Sequence, residues 1–343
     1  MSKITGLVRP NIAALESYST ARDEYKGKIG IFLDANESPF DNGYNRYPDP
    51  HQIELKELIG GIKGIPGANL FLGNGSDEAI DLVLRVFCTP GRDNVIVLVP
   101  SYGMYSVAAA VNDIECRPFM LGEDFSLDTA GLLAVADDNT KLIFLCSPNN
   151  PSGNAFPRGQ LLDICRRFRG VVVVDEAYVD FSSQGSLAHD AVELENLIVL
   201  QTLSKARAMA GLRIGMAVAS KEITGLLSGV KYPYNLSLPA MQIAAELLKR
   251  DNSEEVSALV RERERMSGML PSFPFVQKVY SSDANFLLVK VADADRLYSF
   301  LLERGIIVRN RSRVPGCSGC LRITIGLRKE NDAVLAAFNE YLR

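Results

Sequence analysis

The chain has 343 residues, 47% of them hydrophobic and 23% charged, with a formal net charge of −4. That composition suits a globular chain with one large domain and a smaller one, and its acidic balance argues against a general nucleic-acid binder. No apolar run approaches the ~20 residues of a membrane span, and the start, Met1 to Gly6, lacks the apolar core of a signal peptide, so a cytoplasmic location with no membrane partner is expected.

Residues 1–30 read as an arm with one short helix. Ile31–Pro39 is expected to be extended and to enter a loop, with turn signals at Asn42-Gly43 and Pro48-Asp49-Pro50. Leu55, Leu58 and Ile59 have helical spacing. From Asn69 the rhythm becomes strand, loop, helix. Leu70–Leu72 leads into Gly73-Asn74-Gly75-Ser76, and a helix follows with Ile80, Leu84 and Phe87 on one stripe. Further strands are predicted at Asn94–Val99, Leu142–Cys146, Val171–Val174, Leu197–Gln201 and Arg213–Ala219. Helices are predicted at Met104–Val111 and Leu161–Phe168. Short Val, Ile and Leu runs without alternation suit strands covered on both faces. Their alternation with helices predicts an α/β fold with a mostly parallel sheet.

The last third reads differently. A helical pattern covers Leu238 to Met269, with Asp251-Asn252 as a break. Strands follow at Phe286–Val291 and Leu321–Ile325, flanked by helices at Ala292–Arg304 and Glu330–Leu342. This predicts a smaller α+β domain. The mixed-sign run Arg261–Arg265 reads as a solvated helix face. Cys317-Ser318-Gly319-Cys320 is the only C-x-x-C, with no second pair and no histidine near it. With two histidines in the chain, no metal site is expected.

Several junctions carry chemistry. Gly73 to Glu78 precedes a helix, whose first N–H groups make an anion site. Ser76 could cap that helix and donate to a phosphate. Asp77 and Glu78 would repel the anion unless they point away. A plain capped helix fits the same residues. Ser147-Pro148-Asn149-Asn150-Pro151-Ser152-Gly153 is a turn at a strand end, where Asn150 could donate to a phenolic oxygen or simply build the turn. Asp175, after four valines, is costly to bury unless paired with a protonated ring nitrogen, a lysine or an arginine. Tyr178 lies three residues on. Lys205 sits beside the hydroxyls of Thr202 and Ser204, and Arg213 adds a forked anion donor. Each alone has a structural explanation. Together they supply what pyridoxal phosphate needs: a Schiff-base lysine, an acid for the ring nitrogen, donors for the 3′ oxygen and a phosphate cluster. Tyr102 offers an aromatic face for the ring.

With those stations in order, and with Leu33–Pro39, Arg46-Tyr47-Pro48, Ser101–Tyr105, Gly211–Gly215, Ser282–Phe286 and Cys320–Thr324, the chain resembles the fold-type I aminotransferases. Within them it is most similar to the histidinol-phosphate branch, from about Tyr18 to the C-terminus. The resemblance implies a large domain with a mostly parallel seven-stranded sheet covered by helices, and a smaller α+β C-terminal domain. It implies an arm over residues 1–35 that joins the small domain, a cofactor domain over 36–230, and a small domain over 231–343 that includes the long interdomain helix.

By the same resemblance Lys205 carries the cofactor and shuttles the proton, Asp175 pairs with the ring nitrogen, and Tyr178 and Asn150 bind the 3′ oxygen. Tyr102 stacks on the ring. Ser76 and Asp77 through their backbone, with Thr202, Ser204 and Arg213, hold the phosphate. Tyr47 reaches it from the other subunit of a homodimer. Arg322 and Arg309 grip substrate anions, and Tyr18, Asn36 and Tyr234 lie near the amino donor. The implied reaction moves the amino group of L-histidinol phosphate to 2-oxoglutarate, in histidine biosynthesis. An aromatic or broad amino-acid aminotransferase, a threonine-phosphate decarboxylase and a non-catalytic cofactor-binding regulator are the alternatives.

Overall fold

The structure, a computed structural model, describes residues 4–16, 20 and 30–342. Strands β1 (Leu70–Asn74), β2 (Asn94–Val99), β3 (Glu115–Met120), β4 (Thr140–Cys146), β5 (Val171–Asp175), β6 (Leu197–Thr202) and β7 (Ile214–Val218) belong to a seven-stranded sheet ordered β1-β7-β6-β5-β4-β2-β3. Strands β2 to β5 pair in parallel, whereas β7 runs antiparallel to both β1 and β6. The expected mostly parallel sheet is therefore present, with one reversed strand that the residue pattern does not reveal.

The chain divides into two compact units, Met1–Pro90 with Ala188–Arg250, and Gly91–Leu187 with Asp251–Arg343. In the first unit the Ser76–Phe87 helix buries Ile80, Val83, Leu84, Val86 and Phe87, the stripe its spacing predicts. Its start is locked against β7. A Cβ on Gly215 would lie 2.1 Å from Ser76 N, so only glycine lets the strand and the helix start approach this closely.

In the second unit the four valines Val171 to Val174 are fully buried. Each contributes on the order of 1.5–3 kcal/mol. A second sheet, ordered β10-β11-β9-β8, comprises β8 (Val276–Val279), β9 (Phe286–Val291), β10 (Arg309–Asn310) and β11 (Cys320–Thr324), antiparallel throughout. Leu287, Val289, Leu297, Leu301, Leu321 and Phe338 join this sheet to the Ala294–Glu303 and Arg328–Tyr341 helices in one core. The break at Asp251-Asn252 separates helices Leu238–Leu247 and Ser253–Met269.

Some local expectations give way. Ile31–Pro39 forms no strand, and Asn36 is left-handed at φ 55°. Strand β3 is invisible to the run of apolar residues because it is an edge strand. None of its residues is buried, and it carries Pro118, which an edge tolerates. The run Arg261–Arg265 is only partly solvated: Arg263 is buried and donates through Nη1 to the carbonyls of Phe181 and Ala284. Among the described residues no helix is long and apolar enough to cross a membrane.

Candidate active site

In the first unit, three chain segments meet where β1, β6 and β7 hand over to loops or helices. Gly75 is the N-cap of the Ser76–Phe87 helix at φ 74°, and Ser76 is its first helical residue. The side-chain cap expected of Ser76 is absent. Instead the Glu78 carboxylate turns back onto Asn74 N and accepts from Asn235 Nδ2 at 2.9 Å. That removes one of the two acidic groups from the anion-binding end. Arg213, left-handed at φ 55°, accepts the Gly75 N–H through its carbonyl at 2.7 Å. Its guanidinium occupies the space a side chain on Gly75 would need, 2.6 Å from the Cβ position. Asp77 lies 3.6 Å from Arg213 Nη2.

Thr202 ends β6 and is buried. Its Oγ1 accepts from Ser204 N at 3.1 Å. Lys205 follows in a tight turn closed by Met209 N donating to Leu203 O at 3.0 Å and Ala208 N to Lys205 O at 3.1 Å. Ala208 is held left-handed at φ 54°, a conformation that costs energy for a non-glycine residue and fixes the direction of the lysine's turn. Lys205 itself is exposed. Tyr47 stacks on Tyr234 with ring centroids 4.4 Å apart, and with Asn36 it lines a cavity of about 380 Å³. Tyr18 lies outside the described residues.

In the second unit the loop ends of β2, β4 and β5 converge. Asp175 closes β5 and is 2% exposed. Its Oδ2 accepts from the Tyr105 hydroxyl at 2.6 Å and its Oδ1 from Ala177 N at 3.0 Å. Burial, and then the charge of Asp175, raises the Tyr105 hydroxyl well above its ordinary value, so it remains a donor. The Ser147–Gly153 turn is tied to the loop after β2 through Asn149, which donates to Pro100 O at 2.9 Å and accepts from Ser101 Oγ at 3.0 Å. That tie sets Tyr102 beside Tyr105, edge to face at 5.5 Å. The peptide bonds before Pro148 and Pro151 are cis, as is that before Pro100.

Asn150 is buried between two partners. Its Nδ2 lies 3.5 Å from the Tyr178 hydroxyl, and its Oδ1 accepts from Arg322 Nη1 at 2.6 Å. Burial holds the Tyr178 hydroxyl above its ordinary value, and Arg322 opposes that shift. Arg322 stands on β11 directly opposite Arg309 on β10.

Asn150, Tyr178, Arg322 and Arg309 thus share one unit with Asp175 and Tyr102, and Ser76, Asp77, Thr202, Ser204, Lys205 and Arg213 share the other. Tyr105 and Asn149 were missed by the sequence reasoning. Tyr105 gave no signal, since a buried tyrosine on the apolar Met104–Val111 helix has the pattern of a core residue. These residues fit pyridoxal phosphate. In the first unit, helix-start N–H groups, hydroxyls and Arg213 are donors of the kind a phosphate needs; in the second, a buried carboxylate held by a neutral hydroxyl and an amide could take a ring N–H. Among the described residues no group of three or more His, Cys, Asp or Glu could hold a metal ion, and Cys317 and Cys320 are buried free thiols.

The sequence model of the class I and II aminotransferase family matches residues 34–338, and the chain belongs to that family. It is a transaminase of fold type I, dependent on pyridoxal 5′-phosphate. A histidinol-phosphate aminotransferase of Parabacteroides distasonis is 53% identical over 339 residues, 98% of each chain. Two solved structures show the same fold. The histidinol-phosphate aminotransferase of Clostridium acetobutylicum superposes with a TM-score of 0.79 at 24% identity, covering 86% of this chain and 90% of that one. That of Sinorhizobium meliloti, in complex with pyridoxal 5′-phosphate, has a TM-score of 0.79 at 23% identity, covering 87% and 83%.

Proposed function

We propose that the protein transfers the amino group of L-histidinol phosphate to 2-oxoglutarate, giving imidazole acetol phosphate and L-glutamate in histidine biosynthesis. The observation that carries this reading is the 53% identity, across 98% of both chains, with a relative of that name. When bound, pyridoxal phosphate supplies the electron sink for charge left at the donor's Cα.

The chain's own residues do the rest. Lys205 Nζ is the general base that takes the Cα proton and later returns it. Asp175 keeps the ring nitrogen protonated, with Tyr105 and the Ala177 amide holding the carboxylate in place. Tyr178 and Asn150 hold the 3′ oxygen, and Tyr102 covers the ring. The N–H groups of Ser76 and Asp77, with Thr202, Ser204 and Arg213, hold the cofactor phosphate. Arg322 and Arg309 grip the phosphate of one substrate and a carboxylate of the other, because their forked donors fit both. Asn36, Tyr234 and Tyr18 complete the donor side.

The protein works as a cytoplasmic homodimer in this reading, with Tyr47 contributed across the interface. Ile31, Leu33 and Phe40, which are 91%, 88% and 83% exposed, support an interface on that segment. Steady-state kinetics with histidinol phosphate, phenylalanine and threonine phosphate test the substrate. A kcat/KM for histidinol phosphate at least about 100-fold above the others is expected, a difference of about 2.7 kcal/mol. Parity with phenylalanine, or decarboxylation of threonine phosphate, would overturn it.

A further inference from the structure

Arg322 has a second arginine directly across the ladder and a third two residues further on. Arg309 is its register partner, and Arg311 N donates to Cys320 O at 2.8 Å, continuing the pairing past β10. Like charges directly opposite on a sheet repel. The repulsion is felt: after burial itself, Arg322 and Arg309 push the Arg311 guanidinium below its ordinary value. Among the described residues none of the three forms an ion pair with a carboxylate. Asp295, on the helix packed beside β10, is taken by Asn310 Nδ2 at 2.6 Å. Three buried polar atoms at this place have no hydrogen-bond partner among the described residues: Arg311 Nε, Ser312 Oγ and Arg322 Nε. A fold that gathers three cations and leaves inward donors unused is built for an anion it does not itself supply.

We propose that Arg311 is a third anion-binding side chain of the substrate site, acting with Arg309 and Arg322 to grip a phosphomonoester dianion and to favour it over a carboxylate. The inference rests on the reading of Arg309 and Arg322 given above. The chemistry sets the preference. A phosphate group offers three terminal oxygens and close to two charges, enough for three forked donors. A carboxylate offers two oxygens and one charge, which one or two arginines satisfy. Arg311 therefore adds more to the phosphate-bearing substrate than to the dicarboxylate that shares the site.

The test is calorimetric titration of the holoenzyme with glycerol 3-phosphate, a phosphomonoester with no amine, and separately with succinate. Arg311→Gln is expected to weaken glycerol 3-phosphate about tenfold, the worth of one charge-assisted hydrogen bond, and succinate by less than about threefold. The phosphate loss should shrink below about pH 6, where the ester becomes a monoanion, a signature that a merely structural role would not give. Arg313→Gln, on the exposed neighbour, should change neither anion. Arg311→Lys keeps the charge and loses the fork, and should weaken glycerol 3-phosphate about two- to fivefold; it carries the test if Arg311→Gln does not fold. Unchanged glycerol 3-phosphate affinity in a folded Arg311 variant, or equal losses for both anions, overturns the proposal. Binding through Arg311 without turnover of histidinol phosphate would instead sink only the substrate assignment.

Discussion

The Tyr105 hydroxyl donates to Asp175 Oδ2 at 2.6 Å, with Tyr105 fully buried and Asp175 2% exposed. If Asp175 faces a protonated ring nitrogen, as proposed, its remaining lone pairs need neutral donors, and Tyr105 is one. Tyr105→Phe should lower kcat about tenfold and destabilise the fold by roughly 1.5–3 kcal/mol, the worth of a hydrogen bond to a charged group. Because the hydroxyl stays protonated, the defect should be constant from pH 6 to 9. Steady-state rates across that range and thermal unfolding check it, and an unchanged kcat contradicts it.

Gly215 and the start of the Ser76–Phe87 helix are in backbone contact. A methyl on Gly215 has no flexible neighbour to displace, since Ser76 N and Gly75 C would lie 2.1 and 2.4 Å away. Gly215→Ala should cost about 1–3 kcal/mol by overpacking and weaken cofactor affinity at least about tenfold, because the phosphate-binding amides move. Cofactor titration into the apoprotein measures this, and wild-type affinity would show that the helix start does not bind the phosphate.

Lys205 is exposed, so truncating its side chain opens no cavity in the core. Lys205→Ala should leave stability within about 0.5 kcal/mol while lowering kcat at least about 1,000-fold. Near-normal kcat with no amine added to the assay would remove Lys205 from the chemistry.

Asp137 ties three parallel strands at one end. It accepts from Asn94 Nδ2 at 3.0 Å, Thr140 Oγ1 at 3.1 Å, Asn139 N at 2.9 Å and Arg117 Nη1 at 2.6 Å. Those bonds, that of Asn94 first and then that of Arg117, hold its carboxyl far below the usual carboxylate range. A lowered folded value means the contribution is present above the unfolded value near 3.8 and is lost as pH falls through the folded one. Stability of the wild type should therefore drop as pH falls below about 4, more steeply than that of Asp137→Asn, with the variant less stable at pH 7. Parallel pH–stability curves for the two proteins would contradict the assignment.

Much of the fold and site was legible in residues that break a local pattern. Four valines ending in Asp175, the run Leu197 to Leu203 ending at Ser204-Lys205, and glycines before the Ser76 helix each mark a strand or helix end with unusual chemistry. Tyr105 was not legible, because a tyrosine on the buried stripe of an apolar helix reads as core, and only the fold brings Asp175 to its hydroxyl. The reversal of β7 was hidden because a buried antiparallel strand has the same composition as a parallel one. Arg263 read as solvated because its two carbonyl acceptors are 82 and 21 residues away. The crowding of Arg309, Arg311 and Arg322 depends on the β10–β11 register, which no spacing in the sequence states.

The most direct test adds histidinol phosphate alone to the holoenzyme and follows the cofactor absorbance, then adds 2-oxoglutarate. The account predicts stoichiometric loss of the cofactor's original band with one imidazole acetol phosphate formed per site, and full return of the band with one glutamate released. A band that histidinol phosphate leaves unchanged, while another amino donor discharges it, would contradict the central claim.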